Sequence, residues 1–187
     1  IKSDYELKGL LKDVKINFFN EKIFENINFN FNLRENNYLF QEIKLKVNKV
    51  NFTSDIIRAK KKKNNFLLEG MFENKKYILN KNLLKLLNLD FPSIDLEDTR
   101  FKSKNKFFLE FNNKFDIKNF ELDTDLILDQ FNYVQPDLLN KYLLNSNEII
   151  IFRDQNIKLK YINNKMSIEG IGKVKLGNNF NDIEYLI

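Results

Sequence analysis

Histidine, cysteine and tryptophan are missing from this 187-residue chain, and alanine occurs once, as Ala59. Without cysteine there is no disulfide and no thiolate site, so the sequence carries no redox signature of its compartment. Without His or Cys the usual zinc and iron sites are excluded. A Ser-His-Asp triad or a Cys-His pair is equally impossible. Any catalysis would rest on carboxylates, Lys, Tyr or Ser alone, so the expectation is a non-enzyme with no cofactor and no metal. No stretch approaches the ~20 apolar residues that a helix needs to cross a bilayer. The chain begins at Ile1 with no signal peptide and ends on the strand-like Tyr185-Leu186-Ile187. Both ends read as cuts, and residues 1–187 are expected to be one β-rich segment of a longer chain.

Asn, Lys, Ile and Phe are abundant. These are the residues of A/T-rich codons, so the Asn content carries little functional weight. The formal net charge is +5, spread along the chain. That fits nucleic acid, anionic lipid headgroups or no partner at all.

The strongest signal is a strict apolar/polar alternation. In Ile27-Asn28-Phe29-Asn30-Phe31-Asn32-Leu33 every odd position is apolar and every even one is Asn. A period of two means a strand with one apolar and one wet face. The pattern returns in Ile43-Lys44-Leu45-Lys46-Val47, in Phe107 to Phe111, in Phe120 to Leu128 and in Ile157 to Tyr161. Strands are predicted over Tyr5–Phe18, Ile23–Leu33, Tyr38–Phe52, Asp55–Lys61 and Phe66–Phe72. A second set covers Ile94–Lys102, Lys106–Phe111, Ile117–Tyr133, Glu148–Phe152, Ile157–Ile162, Met166–Leu176 and Asp182–Leu186. Short Asn-based turns link them, at residues 34–37, 63–65, 112–114, 154–156 and 163–165. Such links make an antiparallel meander, mainly β in class.

Two segments break the pattern. Asn80–Asn88 sets Leu83, Leu84, Leu86 and Leu87 at helical spacing, and Pro136–Leu144 opens with Pro where a first helical turn accepts it. Both are predicted to be short amphipathic helices. The first, at 80–88, divides the chain into halves 1–80 and 89–187.

Candidate sites are few. Asp123, Asp125 and Asp129 imitate an acidic metal run, but lack the Gly and Glu of a calcium loop and read as a solvated strand face. Arg58 with Lys60 to Lys63 is the one dense basic run. It reads as a charged strand end, because the phenylalanines sit in the alternation rather than among the lysines. No nucleic-acid partner is expected. Glu169-Gly170-Ile171-Gly172 lacks the setting of a phosphate loop, and its glycines suit a bend or a close approach of backbones. Nothing selects a catalytic pair of carboxylates.

What calls for explanation is the apolar stripe itself. In a closed β-sandwich it packs on a second sheet, giving a structural or protein-binding module. In an open groove the same face meets a long apolar ligand.

The texture of the whole chain bears on this choice. Phe24 to Phe31 runs into Tyr38 to Leu45, then Phe52-Thr53-Ser54-Asp55-Ile56-Ile57 and Asn65-Phe66-Leu67-Leu68-Glu69-Gly70. Later come Ile157 to Tyr161 and Lys165-Met166-Ser167-Ile168-Glu169-Gly170. This resembles the strand-rich periplasmic region of AsmA-like bacterial envelope proteins, of the YhdP type. The resemblance implies a long sheet curved into an open groove, a β-taco, in a periplasmic segment of an inner-membrane-anchored protein. Its partners would be phospholipid acyl chains, and, through missing parts of the chain, the inner and outer membranes. The groove-lining residues expected from the alternation are Ile27, Phe29, Phe31, Ile43, Leu45, Val47, Phe107, Leu109, Phe111, Leu122, Leu126 and Leu128.

Overall fold

The computed structural model describes residues 5–18, 22–47, 49–80, 94–133, 150–176 and 178–187. The strands are β1 (Glu6–Phe18), β2 (Lys22–Arg34), β3 (Asn37–Val47), β4 (Val50–Lys62), β5 (Asn65–Ile78), β6 (Ile94–Asp95), β7 (Arg100–Asn112), β8 (Ile117–Tyr133), β9 (Ile150–Ile162), β10 (Lys165–Leu176) and β11 (Asn179–Leu186). They form one antiparallel sheet in the order β1-β2-β3-β4-β5-β7-β8-β9-β10-β11, with β6 pairing on β8. The sheet does not close on itself. Apart from Asn80, the segments Asn80–Asn88 and Pro136–Leu144, predicted as helices, lie outside the described residues.

The meander follows from local chemistry. Asn163 and Asn164 both hold positive φ, 53° and 58°, the backbone of a two-residue hairpin that matches strand twist. Glu35 and Lys63 open the turns after β2 and β4 with φ of 40° and 47°.

Some expected strand limits are corrected. The run Tyr38–Phe52 breaks at Lys49, where φ is 75°, so β3 ends at Val47 and β4 begins at Val50. The expected break between Phe52 and Asp55 is absent, and β4 runs through it. Likewise β7 bridges the gap expected between Lys102 and Lys106. The turn expected at Asp154-Gln155-Asn156 is strand instead, the middle of β9.

That last error has a physical cause shared by four sites. Asp13, Asn26, Glu42 and Asp154 all lie inside strands yet hold φ between 51° and 53°. Around the first three, the pairing register slips: Leu11 faces Phe29 but Val14 faces Ile27, and Phe24 faces Val47 but Asn28 faces Lys44. These are β-bulges, one extra residue on one strand, built on the left-handed backbone that Asn and Asp tolerate better than most residues. At the first three the apolar spacing changes from two to three: Leu11 to Val14, Phe24 to Ile27 and Phe40 to Ile43; at the fourth the buried residue three after Phe152 is the polar Gln155. The bulge absorbs the extra residue, so both flanks present their apolar side chains to the same face.

By compactness the chain falls into two units, each taken by itself below. The first comprises Ile1–Lys75, Lys104–Thr124 and Leu159–Met166, and the second Lys76–Ser103, Asp125–Lys158 and Ser167–Ile187. In the first unit Ile27, Ile43, Val50 and Ile57 are buried. In the second the buried apolar residues are Leu79, Leu96, Phe101, Leu128 and Val174. There a loop between β6 and β7 is tied down by Leu79 N donating to Thr99 O (2.8 Å), and by Thr99 Oγ1 donating to Gln130 O (2.9 Å).

Candidate apolar binding surface

In the first unit, register converts the alternating sequence into rungs that cross the sheet. Leu7, Leu33, Tyr38, Ala59 and Leu68 are successive partners on β1 to β5. The next rung is Gly9, Phe31, Phe40, Ile57 and Gly70. Further along, Leu45 faces Phe52, and Phe24, Val47 and Val50 share a rung. Partners in a rung point to the same side, so these side chains build one apolar face.

Aromatic contacts knit it together. Phe29 meets Phe40 edge-on at 5.5 Å between centroids. Phe66 stacks on Phe111 at 5.4 Å, and Phe72 on Phe107 at 5.8 Å. Phe120 lies 5.8 Å from Tyr161. At Gly9 the Phe31 ring lies over the backbone where a β-carbon would stand.

Of the residues expected to line the surface, the first unit holds Ile27, Phe29, Phe31, Ile43, Leu45, Val47, Phe107, Leu109, Phe111 and Leu122. Ile27 and Ile43 are buried, at 8% and 5% exposure. The others are half-buried. Flanking strands alone shield the sides of a residue in a sheet, whereas a second layer packed on the face removes nearly all its remaining exposure. Half-burial of the phenylalanine rungs is therefore the state of a face with solvent access.

In the second unit, Leu126 is half-buried and Leu128 is buried. Phe131 and Phe152 stack at 4.9 Å with planes 6° apart. Gln155 takes the place the alternation reserves for an apolar residue and is fully buried. Its Nε2 donates to Arg153 O (2.8 Å) and Lys173 O (3.0 Å), and its Oε1 accepts from the Tyr185 hydroxyl at 3.4 Å. Burial raises the Tyr185 phenol above its ordinary value.

No family model, curated protein or solved structure matches this chain.

The polar candidates are spread across the two sides of the sheet. Arg58 and Lys60 share a face with Leu39 and Asn37, their β3 partners, away from the phenylalanine rungs. Lys61 turns the other way, its ammonium 5.7 Å from the Phe66 ring centre. The basic run is thus divided by the pleat. Asp129 pairs with Lys76 at 3.0 Å. Among the described residues no group of three or more acidic side chains is placed to hold a metal ion, and no helix is long and apolar enough to cross a membrane. Gly170 and Gly172 lie in β10, covered by Tyr185 and Gln155. What approaches each glycine is a side chain laid over its backbone, not the second backbone expected.

Sequence reasoning missed Phe24, Tyr38, Phe40, Phe66 and Phe72 as members of the face. The bulges hid the first three. The detectable signal is an apolar pair three residues apart with Asn, Asp or Glu just before the second.

Proposed function

We propose that this chain is a non-catalytic segment that carries phospholipid acyl chains along its apolar face. The sheet would be curved into an open groove, in the periplasmic part of an inner-membrane-anchored protein moving phospholipid between the two membranes of a bacterial envelope. The observation that carries this reading is the half-burial of the phenylalanine and leucine rungs, which leaves area for a ligand to cover. The resemblance in sequence texture to AsmA-like proteins of the YhdP type supports the same reading. Apolar contact at about 25 cal/mol per Å² is non-directional. It holds a chain without fixing its position, as a conduit requires.

A closed sandwich module is the rival, favoured locally by the burial of Ile27, Ile43 and Leu128. The test is organic extraction and mass spectrometry of lipid from the purified chain, beside a β-sandwich protein of known dry core. Phospholipid retained at a reproducible ratio is the expected result. A folded, lipid-free protein would sink the proposal and leave the stripe as an ordinary core.

A further inference from the structure

The outward side of each unit, away from its apolar rungs, carries a depression, and the two are opposite in charge. In the first unit it occupies about 420 Å³. Two rungs build it: Asn32, Leu39, Arg58 and Glu69, and then Arg34, Asn37, Lys60 and Leu67. Leu39, Leu67 and Phe108 are the apolar part of its lining, and Arg34, Arg58 and Lys60 the basic part, with Arg58 and Lys60 on the central strand β4. Glu69 and the Glu6 partner of Arg34 offset only part of that charge. Among the described residues, no carboxylate lies within ion-pair distance of Arg58 or Lys60.

In the second unit the depression measures about 780 Å³. Glu169 faces Leu186 and Ile171 faces Glu184 across β10 and β11. With Asp125 and Ile127 of β8, they interleave three carboxylates with three apolar side chains. Among the described residues Lys158 is the single cation in the lining. Ile127, Ile171 and Leu186 are 41%, 55% and 75% exposed, on a strand face where alternation calls for polar residues. In a chain of net charge +5, this patch is net negative.

We propose that copies of this chain associate head to tail, the basic depression of one seating on the acidic depression of the next. Each surface interleaves apolar with charged side chains, and the two surfaces are complementary in sign. The occupant of each patch is the other patch on a second copy. The contact is heterologous, so every association leaves one free surface of each kind, and size grows with concentration. It lies away from the acyl-chain face and is independent of the function proposed above.

The test pairs two charge-reversed variants, Arg58→Glu/Lys60→Glu and Glu169→Lys/Glu184→Lys, with circular dichroism to confirm folding. The wild type is expected to self-associate in sedimentation velocity, with at least tenfold weakening from low to high salt. Each variant alone carries two surfaces of one sign and should stay monomeric. An equimolar mixture should associate again, because each reversed surface then meets its complement. A wild type that remains monomeric, or whose association ignores salt, overturns the proposal. So does a mixture no larger than its components. If a reversed variant misfolds, Arg58→Gln/Lys60→Gln and Glu169→Gln/Glu184→Gln replace it, and loss of self-association in either is the supporting outcome.

Discussion

Gly172 lies beneath the carboxamide of Gln155, where any β-carbon would overlap the amide nitrogen. The amide is thereby held over the backbone of β10 and bonded to the carbonyls of Arg153 and Lys173. Gly172→Ala should cost roughly 1–3 kcal/mol of stability, as overpacking does. In a Gln155→Ala background the obstruction is gone, and the same substitution should cost much less, although Gln155→Ala itself strips two carbonyls of their donor. Urea unfolding of the four proteins closes this cycle. An equal penalty in both backgrounds would show that Gly172 is required for some other reason.

Asp13 offers the cleanest test of the bulges: its backbone N–H donates to Asn28 Oδ1 at 3.1 Å, and among the described residues its side chain has no partner. With φ at 53°, Asp13→Gly should leave stability unchanged or raise it slightly, because Gly adopts this backbone freely. Asp13→Val should lose about 1–2 kcal/mol, the penalty of a left-handed conformation for a branched residue. Similar unfolding midpoints for the two variants would contradict the bulge geometry.

Burial divides the proposed acyl-chain surface into two kinds of position. Ile43 is 5% exposed and sits opposite Ser54, whereas Leu45 and Phe29 are half-buried. Ile43→Asp places a charge where solvation is lost, at a cost of several kcal/mol, and should unfold the chain. Leu45→Asp and Phe29→Asp should stay folded and retain several-fold less phospholipid. Circular dichroism and lipid extraction on the same preparations separate the outcomes. Unfolding of all three would mark the whole stripe as core.

Glu6 is poised for a pH measurement. The Arg34 side chain at 2.9 Å, and then the Lys8 ammonium at 3.1 Å, hold its carboxyl down from 4.5 to about 2. The native state therefore resists protonation more than the unfolded chain does. The stabilisation is present above the ordinary carboxylate value and is lost as pH falls from there through about 2. The group is solvent-exposed, so the effect on global stability is small. Carboxyl NMR titration reads the site directly. Arg34→Gln should raise the Glu6 midpoint towards 4.5, with Lys8 and Asn32 still holding it down in part, and an unmoved midpoint would refute the assignment.

Much of the architecture was legible because it is local. Period-two alternation identified the strands, and Ile117–Tyr133 was placed with the bounds of β8. The Asn-rich turns at 35–36, 63–64 and 163–164 were equally plain. Bulges were not, since Asp154 and Gln155 look like a turn until their neighbours show the strand continuing. Nor was the turn at Lys49, whose lysine gives no hint of positive φ. The two charged depressions were invisible for a different reason. Arg58 and Leu39, or Glu169 and Leu186, become neighbours only through cross-strand register, which no single segment encodes.

The bulges also determine which mutations this sheet can absorb. A strand is read in steps of two, much as a message is read in codons, so losing one residue inside β2 inverts every side chain beyond the lesion. Asn26 is itself such an inserted letter, already compensated by the phasing on either side. Removing Asn26 alone would set Phe24 and Ile27 two apart, so the bulge disappears and both ends of β2 keep their faces. A deletion elsewhere in β2 inverts one end, and a second deletion or insertion nearby restores the frame, as a suppressor does. Length changes in lineages of this protein should therefore fall in turns, at the bulged residues Asp13, Asn26, Glu42 and Asp154 themselves, or elsewhere in compensating pairs.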